Sequence, residues 1–265
     1  MSSHQPLRLS REACEWRSWR HSRNEIGRMT AFAQRLLARH YAHRTHPYRT
    51  FEASVDALLT RESVILDAGC GRTAPTLRKY VGRARRLIGV DLVEFRDIPA
   101  DIETYRTDLA SLPLGDETVD LIASQSVFEH LVDPGPVYME MARVLRPGGA
   151  VIFLTANMWD YGTLIARIVP NRFHARIVKK VEGRDEEDTF PTAYKTNTRR
   201  DIERLAAASG LEVDTFEYLS QYPNYLMFNA ALFFMGMCFE KLIHNFETLR
   251  TLRGWILVTL RKPRP

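Results

Sequence analysis

The stretch Val64-Ile65-Leu66-Asp67-Ala68-Gly69-Cys70-Gly71-Arg72-Thr73 decides the fold of this chain. Three apolar residues with strong strand preference lead into an acid and then into two glycines separated by one residue. This order predicts a buried parallel strand, a tight turn, and a helix that begins near Thr73. Glycines let the backbone approach a ligand closely, and a helix N-terminus favours negative charge. The stretch therefore predicts a nucleotide-type binding turn.

A second strand, Leu87 to Val90, ends in Asp91 about 20 residues beyond Gly71, which is the spacing of folds whose second acid binds ribose hydroxyls. Two ligand classes fit the glycines, because Gly69-x-Gly71-x-x-Ala74 also satisfies the relaxed dinucleotide pattern of nicotinamide enzymes. A carboxylate at Asp67 would repel a pyrophosphate, but it suits a cationic ligand with an amino group. S-adenosylmethionine carries a sulfonium, an ammonium and no phosphate, so Asp67 favours it over a nicotinamide cofactor.

Composition and length indicate one large domain, or one domain with insertions. The chain has 265 residues, 45% hydrophobic and 26% charged, which is ordinary for a soluble globular protein. Its three cysteines, Cys14, Cys70 and Cys238, lack metal-ligand spacing and predict free thiols in a reducing cytosol. No signal peptide is expected, because no continuous apolar core precedes the first charged residues. We therefore expect a cytoplasmic location.

The first 50 residues are rich in arginine within a net charge of +5. A helix is predicted there, because a mainly apolar set of residues recurs at steps of three or four: Trp16, Trp19, Arg23, Ile26, Thr30, Ala33, Leu37 and His40. One interpretation is a basic arm for nucleic acid or anionic lipid, and the other is a helical lid with solvated arginines. We prefer the lid, over residues 1–50. The neighbouring cluster of His40, Tyr41, His43 and His46 lacks paired carboxylates or cysteines, so no metal is predicted.

Strands and helices alternate along the rest of the chain. Strands are expected at Arg86 to Asp91, Glu103 to Thr107, Val119 to Ser124, Ala150 to Thr155, Val213 to Leu219 and Trp255 to Leu260. Helices are expected at Thr76 to Val81, Asp133 to Leu145 and Arg199 to Ser209. This alternation predicts an α/β fold, a doubly wound, mostly parallel seven-stranded sheet with ligands at the carboxyl ends of the strands.

Residues 60 to 157 resemble the class I S-adenosylmethionine-dependent methyltransferases, in the small-molecule branch called type 11. The matching segments are Leu66-Asp67-Ala68-Gly69-Cys70-Gly71, Gly89-Val90-Asp91, Asp108 with Leu112-Pro113-Leu114, Val119-Asp120-Leu121-Ile122, Glu129-His130-Leu131, and Arg143-Val144-Leu145-Arg146-Pro147-Gly148-Gly149. The resemblance implies a Rossmann-like fold, with residues 51–265 as the methyltransferase domain, and S-adenosylmethionine as the cofactor. It covers the cofactor half well and the remainder of the chain in outline.

The resemblance also implies a role for each matching residue. Those expected to contact the cofactor are Asp67, Ala68, Gly69, Cys70, Gly71, Asp91, Leu92, Asp108, Leu109 and Gln125. Asp67 would bind the ammonium, Asp91 the ribose hydroxyls and Asp108 the adenine amino group. Leu92 and Leu109 would pack beside the adenine, and Gln125 would lie near the methionine and the transferring methyl.

A general base is needed where the methyl acceptor is a hydroxyl of high pKa. His130 is the candidate, because it is titratable and follows the fourth strand, with Glu129 adjacent. The alternative is that His130 braces the loop.

Two insertions are expected to bind the acceptor. The first, residues 157–197, interleaves apolar and basic residues at helical spacing, as a membrane-surface helix does, and supplies Trp159, Tyr161 and Tyr194 as acceptor contacts. Residues 190–195 of this insertion are expected to return as a strand. The second, residues 221–253, is apolar on every side for about 15 residues, short of the roughly 20 that span a bilayer. It could pack on the first insertion, form a homodimer interface or dip into lipid.

These features favour methyl transfer to an oxygen of a small, lipid-linked or glycan acceptor, with peripheral contact at the inner membrane face. The alternatives are an RNA or protein methyltransferase that uses the basic N-terminal helix, and a cofactor-binding scaffold without catalysis. Nucleic acid is the weaker partner, because Ser124-Gln125-Ser126-Val127 lacks the Asn/Asp-Pro-Pro-aromatic signature for base amino groups.

Overall fold

A computed structural model describes residue 39 and residues 46–168, 190–223, 226 and 229–264, without the side chains of 165–168 and 230. Within these residues one seven-stranded sheet has the order β3-β2-β1-β4-β5-β7-β6. Strands β1 to β5 are parallel, and β7 runs antiparallel between β5 and β6. The strands are β1 Val64–Ala68, β2 Arg86–Asp91, β3 Ile102–Arg106, β4 Val119–Gln125, β5 Leu145–Ala156, β6 Glu212–Leu219 and β7 Trp255–Arg261. The predicted fold class is confirmed.

Helices connect these strands and cover the sheet. The helices are α1 Pro47–Leu58, α2 Pro75–Arg78, α3 Pro134–Val144, α4 Tyr161–Ile168, α5 Arg199–Ala208 and α6 Ala230–Asn245, with 3-10 turns at Phe128–His130 and Glu247–Leu252. Helix α6 lies in the connection between β6 and β7, as the second predicted insertion requires. No helix in the described part of the chain is long and apolar enough to cross a membrane.

The two faces of the sheet bury separate apolar clusters, because successive residues of a strand point to opposite sides. Leu66 of β1 packs with Val137 of α3 on one face. Its neighbour Ile65 packs with Phe51 and Val55 of α1 on the other face. All five residues of β1 are buried, as expected for a central parallel strand covered on both sides. The sheet is therefore doubly wound, and its carboxyl edge is left for ligands.

Three local predictions were wrong. The helix expected near Thr73 and over Thr76 to Val81 is the single turn α2, which ends at Arg78 rather than at Val81. It begins at Pro75 and not earlier, because a proline disfavours the helical conformation of the preceding residue. Ala74 is left-handed instead, with φ of 46°. Strand β5 begins at Leu145 rather than at 150, with a register shift against β4. Residues 190–195 form no strand and return as an irregular segment.

Several predicted features fall wholly or partly outside the described residues. Residues 1–38 and 40–45 of the lid lie outside them, including His40, Tyr41 and His43. So do residues 169–189 of the first insertion, and residues 224–225 and 227–228 of the second. Helix α1 spans the predicted domain boundary at residue 50, and the division into domains stays a prediction.

Candidate cofactor and acceptor site

The glycine turn after β1 is fitted closely against its neighbours. Gly69 has φ of +85°, and a Cβ on it would lie 2.2 Å from Cγ2 of Val127. The backbone N–H groups of Gly69 and Cys70 both donate to the carbonyl of Val90, at 2.8 and 3.1 Å. Gly71 also has positive φ, of +70°, but a Cβ there would meet open space. Gly69 thus serves close packing, whereas Gly71 leaves room on its Cβ side.

Asp91 at the end of β2 is held by the backbone on both sides. Its Oδ2 accepts from the N–H of Gly71 at 2.7 Å. Its Oδ1 accepts from the N–H groups of Leu92 and Val93, at 2.7 and 3.2 Å. A carboxylate has about four lone-pair sites, so these three bonds orient the group and leave acceptor capacity.

Asp67 is the most unusual charged residue of the turn. It is 2% exposed at the end of β1, and its Oδ2 has no hydrogen-bond partner. Burial raises the pKa of this carboxyl to about 7, and the nearby Asp91 adds to the shift while Lys79 opposes it. An unpaired buried carboxylate is costly, so this arrangement calls for a cationic or hydrogen-bond-donating partner.

The other residues predicted to contact the cofactor lie along the same edge. Asp108 is exposed, and its Oδ1 accepts from the N–H of Ala110 at 2.8 Å. Leu109 is buried beside it, whereas Leu92 is 53% exposed. Gln125 is the last residue of β4 and is half-buried. The buried Ala68 and Cys70 complete the turn, and the Ala68 carbonyl accepts from the hydroxyl of Ser124 at 2.7 Å.

Segment 190–194, which includes Tyr194, is hydrogen-bonded to His130 and to its neighbour Glu129. The Nδ1 of His130 lies 3.1 Å from the carbonyl oxygen of Pro191. The Glu129 carbonyl accepts from the N–H groups of Ala193 and Tyr194, at 2.7 and 3.1 Å. Since a carbonyl cannot donate, Nδ1 of His130 must carry the proton of this bond, and in the neutral ring Nε2 then has the lone pair.

Trp159 and Tyr161 face different surroundings. Trp159 is 51% exposed, whereas the ring of Tyr161 packs edge-on against Phe239 of α6, with 5.6 Å between centroids. The contact joins α4 to α6, so the two predicted insertions touch. Tyr161 therefore lies in the interface between insertions, and the structure does not group it with His130 and Tyr194.

Sequence reasoning missed two sets of contacts at this edge. The first links Glu129, Thr155 and Asn197: Thr155 Oγ1 donates to Glu129 Oε2 at 2.7 Å and accepts from Asn197 Nδ2 at 2.8 Å. The second places Tyr48 of α1 near Ser126, with 3.5 Å between the hydroxyl oxygens. The first set could not be predicted from a sequence motif, because Glu129, Thr155 and Asn197 are far apart in the sequence.

The comparisons with known proteins agree with this geometry. A family described as "Methyltransferase domain" matches residues 66–153, which contain the glycine turn and all three acids. An inferred S-adenosylmethionine-dependent methyltransferase of Mycolicibacterium smegmatis is 36% identical over 140 residues, which cover 48% of this chain and 53% of that protein. Residues 66–153 form a class I S-adenosylmethionine-dependent methyltransferase domain.

One further relative and one solved structure match the chain beyond this domain. The 27-O-demethylrifamycin SV methyltransferase of Amycolatopsis mediterranei is 26% identical over 223 residues, covering 75% of this chain and 77% of that protein. A methyltransferase solved with the Trm112 activator of Haloferax volcanii superposes with a TM-score of 0.54 and 18% identity, covering 92% of this chain and 98% of that one. This second likeness shows the fold alone. The chain spans about half the length of the first curated relatives that it matches.

The residues of the methyltransferase domain fit S-adenosylmethionine. The unpaired Oδ2 of Asp67 suits the ammonium of its methionine part. The oriented carboxylate of Asp91 suits two ribose hydroxyls, and the exposed Leu92 suits the face of an adenine. The individual roles of these residues stay predictions, and the buried Oδ2 of Asp67 without a hydrogen-bond partner is consistent with such a ligand.

Proposed function

We propose that this chain transfers a methyl group from S-adenosylmethionine to an oxygen of a small, lipid-linked or glycan acceptor. The observation that carries the proposal is the buried Asp67, whose Oδ2 is unpaired beside the glycine turn of a methyltransferase domain. When bound, S-adenosylmethionine supplies an electrophilic methyl carbon on its sulfonium. In this proposal Asp67 holds the ammonium, Asp91 the ribose and Asp108 the adenine amino group, while Leu109 and Gln125 pack nearby.

His130 is the proposed base for the acceptor hydroxyl. The contact of Nδ1 with the Pro191 carbonyl fixes the ring and its tautomer, so that Nε2 can receive the hydroxyl proton. The same bond ties His130 to segment 190–194, on which Tyr194 is the proposed acceptor contact, with Trp159 as a second. The rate then depends on how well the hydroxyl oxygen is aligned with the carbon–sulfur bond.

Comparison with a matched methyltransferase supports oxygen as the acceptor atom. The name of the rifamycin methyltransferase states an O-demethylated small molecule as its substrate, and that protein is matched over 75% of this chain. The described end of β4 also lacks a proline pair after Gln125, consistent with an acceptor other than a base amino group. These points support a small hydroxylated acceptor.

A lipid-linked acceptor is supported by the outward face of α6. Leu232, Phe234, Met235 and Leu242 are 39 to 65% exposed on this helix, whereas its one acid, Glu240, is fully buried. The sequence from 161 to 181 contains basic residues and no acid, which suits an anionic surface. We therefore propose peripheral contact with the inner membrane face. A homodimer through α6 is the competing use of this face.

Cofactor binding is the first test of the proposal. Calorimetric titration with S-adenosylhomocysteine should show one site in the wild-type chain and a much weaker one in Asp67→Asn. The matched control is Asp56→Asn, an exposed acid on α1 that pairs with Arg83. Absence of binding to the wild-type chain would remove the whole proposal, including the catalytic role.

Acceptor class is the second test. Radiolabelled S-adenosylmethionine is incubated with the chain and with lipid, glycan, RNA or protein fractions, and label is measured in each. We expect label in the lipid or glycan fraction, with loss in His130→Ala if His130 is the base. The RNA alternative is motivated by the arginine-rich residues 1–50, and label in RNA that falls steeply with salt would support it instead. Cofactor binding without label in any fraction would favour a scaffold.

Membrane contact is tested separately, by co-sedimentation with vesicles of phosphatidylglycerol or of phosphatidylcholine. Binding to the anionic vesicles should weaken in a Phe234→Ser, Met235→Ser double variant. If the wild-type chain instead sediments as a dimer, and the same variant makes it monomeric without changing vesicle binding, α6 is a dimer interface.

A further inference from the structure

Tyr48 connects helix α1 to the carboxyl edge of the sheet. Trp255 is the first residue of the antiparallel β7, and it pairs with Ala156, the last residue of β5. Ser126 directly follows the last residue of β4 and has positive φ, of 58°. The Tyr48 ring packs edge-on against Trp255 at 5.6 Å, and its hydroxyl oxygen is 3.5 Å from Oγ of Ser126. Tyr48 and Trp255 therefore stand at the strand ends beside the proposed methyl site.

Two more rings extend this group. His46 packs edge-on against Tyr48, with 4.8 Å between centroids, and lies 6.3 Å from the ring of Tyr222. The indole N–H of Trp255 donates to Oε1 of Gln221 at 2.6 Å. We call His46, Tyr48, Tyr222 and Trp255 the aromatic wall. All four side chains are half-buried rather than enclosed in the core.

His46 and Tyr222 of the aromatic wall carry no charge at ordinary pH. Burial lowers the pKa of His46, against a smaller opposing effect of Glu52, so the imidazole stays uncharged. Burial raises the pKa of Tyr222 to about 12, so the phenol keeps its proton. Half-buried aromatic rings with paired polar tips bind apolar surface, and they select against charged groups that would lose hydration.

We propose that the aromatic wall binds the acceptor, and that the acceptor carries its reacting hydroxyl on a neutral, unsaturated hydrocarbon, aromatic or isoprenoid. The wall faces this hydrocarbon, and the hydroxyl lies toward Ser126 and Gln125, where β4 ends. This inference rests on the proposed function, because it assumes that the methyl donor occupies the neighbouring strand ends. It assigns acceptor specificity to residues that lie mainly outside the two predicted insertions.

The competing explanation is structural, since Tyr48 and Trp255 also pack against the core cluster that contains Phe51. In that case truncating them would lower stability without a separate effect on ligands. Tyr48→Phe and Trp255→Leu keep most of the apolar volume of the side chain. They replace the alanine variants in the binding experiment if the alanine variants unfold. Tyr105→Ala is the matched aromatic control, on edge strand β3 at the other end of the sheet order.

The experiment measures binding of three probes to the full chain with saturating S-adenosylhomocysteine, by saturation-transfer NMR titration. The probes are 2-naphthol, farnesol and methyl α-glucoside. We expect the first two to bind and the glucoside not to. Tyr48→Ala and Trp255→Ala should each weaken probe binding by about tenfold or more, with S-adenosylhomocysteine affinity unchanged within about twofold.

The results distinguish a failure of the aromatic wall as the acceptor site from a failure of the proposed methyltransferase function. If wild-type and aromatic-wall variants bind the probes equally, or if only the glucoside binds, the aromatic wall is not the acceptor site. If the wild-type chain does not bind S-adenosylhomocysteine, the proposed function fails, and the same titration without it still tests whether the wall binds unsaturated alcohols. If Trp255→Leu binds the probes like wild type while both alanine variants unfold, the wall is structural.

Discussion

The backbone N–H of Gly71 donates to Oδ2 of Asp91 at 2.7 Å, so the glycine turn of one strand is tied to the acid that ends the next. The second oxygen of Asp91 is held by Leu92 and Val93. The carboxylate is therefore oriented before any ligand arrives. Ligand binding then does not lose the side-chain entropy of ordering Asp91. The same contact links the position of the glycine turn to that of Asp91.

Replacing Asp91 should therefore weaken the cofactor site in two ways. Asp91→Ala removes the proposed ribose contact and also frees Gly71. We expect the affinity for S-adenosylhomocysteine to fall by roughly 10- to 100-fold, as for the loss of hydrogen bonds to a charged group. Calorimetric titration measures this. The control is Glu94→Ala, an exposed acid three residues on; an equal loss in both variants would mean a general electrostatic effect.

Asp67 should make the folded chain less stable as pH rises. The native carboxyl keeps its proton up to about pH 7, whereas an unfolded aspartate loses it near 3.8. Between these values the native state binds more protons, so the free energy of unfolding falls with rising pH, by about 4 kcal/mol at most. Asp67→Asn should therefore be more stable than wild type at pH 8 and similar near pH 4. Urea unfolding at both pH values measures this, and a variant less stable at pH 8 would contradict the burial argument.

The same carboxyl should make cofactor binding depend on pH in the opposite direction. An ammonium prefers the ionised form, which dominates above about pH 7. The affinity of wild type for S-adenosylhomocysteine should rise between pH 6 and 8, and Asp67→Asn should lack this rise. A parallel rise in the variant would assign the pH dependence to another group.

The sequence predicted the strand-end acids well because each lies within a local pattern. Asp67 and Asp91 lie at the carboxyl ends of β1 and β2, and Asp108 follows β3. The apolar residues of these strands specify them, and parallel strands bring their carboxyl ends together. The helix near Thr73 was predicted less closely, because the left-handed Ala74 and Pro75 delay its start to Pro75.

The contacts around the proposed acceptor site could not be predicted from local sequence patterns. Glu129 and Thr155 are 26 residues apart, and Tyr48 and Ser126 are 78 apart. Contacts at such separations depend on how α1 and the strands pack in three dimensions. The periodicity of a single segment carries no information about them.

Glu129 should stabilise the position of segment 190–194 rather than react. Its carboxylate accepts from Thr155, and its carbonyl holds Ala193 and Tyr194. Glu129→Ala leaves the buried Thr155 hydroxyl without this acceptor, which should cost about 1–3 kcal/mol of unfolding free energy. Glu129→Gln keeps an acceptor oxygen and should recover most of the lost unfolding free energy.

Thermal unfolding of both variants measures this loss and its recovery, with Glu117→Ala as an exposed control. A Gln variant as unstable as the Ala variant would require the negative charge itself.

Gly69 and Gly71 should differ sharply when replaced by alanine, although both have positive φ. A Cβ at Gly69 would lie 2.2 Å from Cγ2 of Val127, a distance no real pair adopts, whereas a Cβ at Gly71 meets nothing within 4 Å. Gly71→Ala therefore suffers backbone strain alone, about 1 kcal/mol. Gly69→Ala suffers the same strain and the clash, so its free energy of unfolding should fall further.

Adding Val127→Ala removes the clashing methyl groups and should restore part of the Gly69→Ala loss, beyond the cost that Val127→Ala has alone. A double-mutant cycle on unfolding free energies tests this coupling. Strict additivity would show that the turn relaxes away from Val127, and that Gly69 is required for its φ alone.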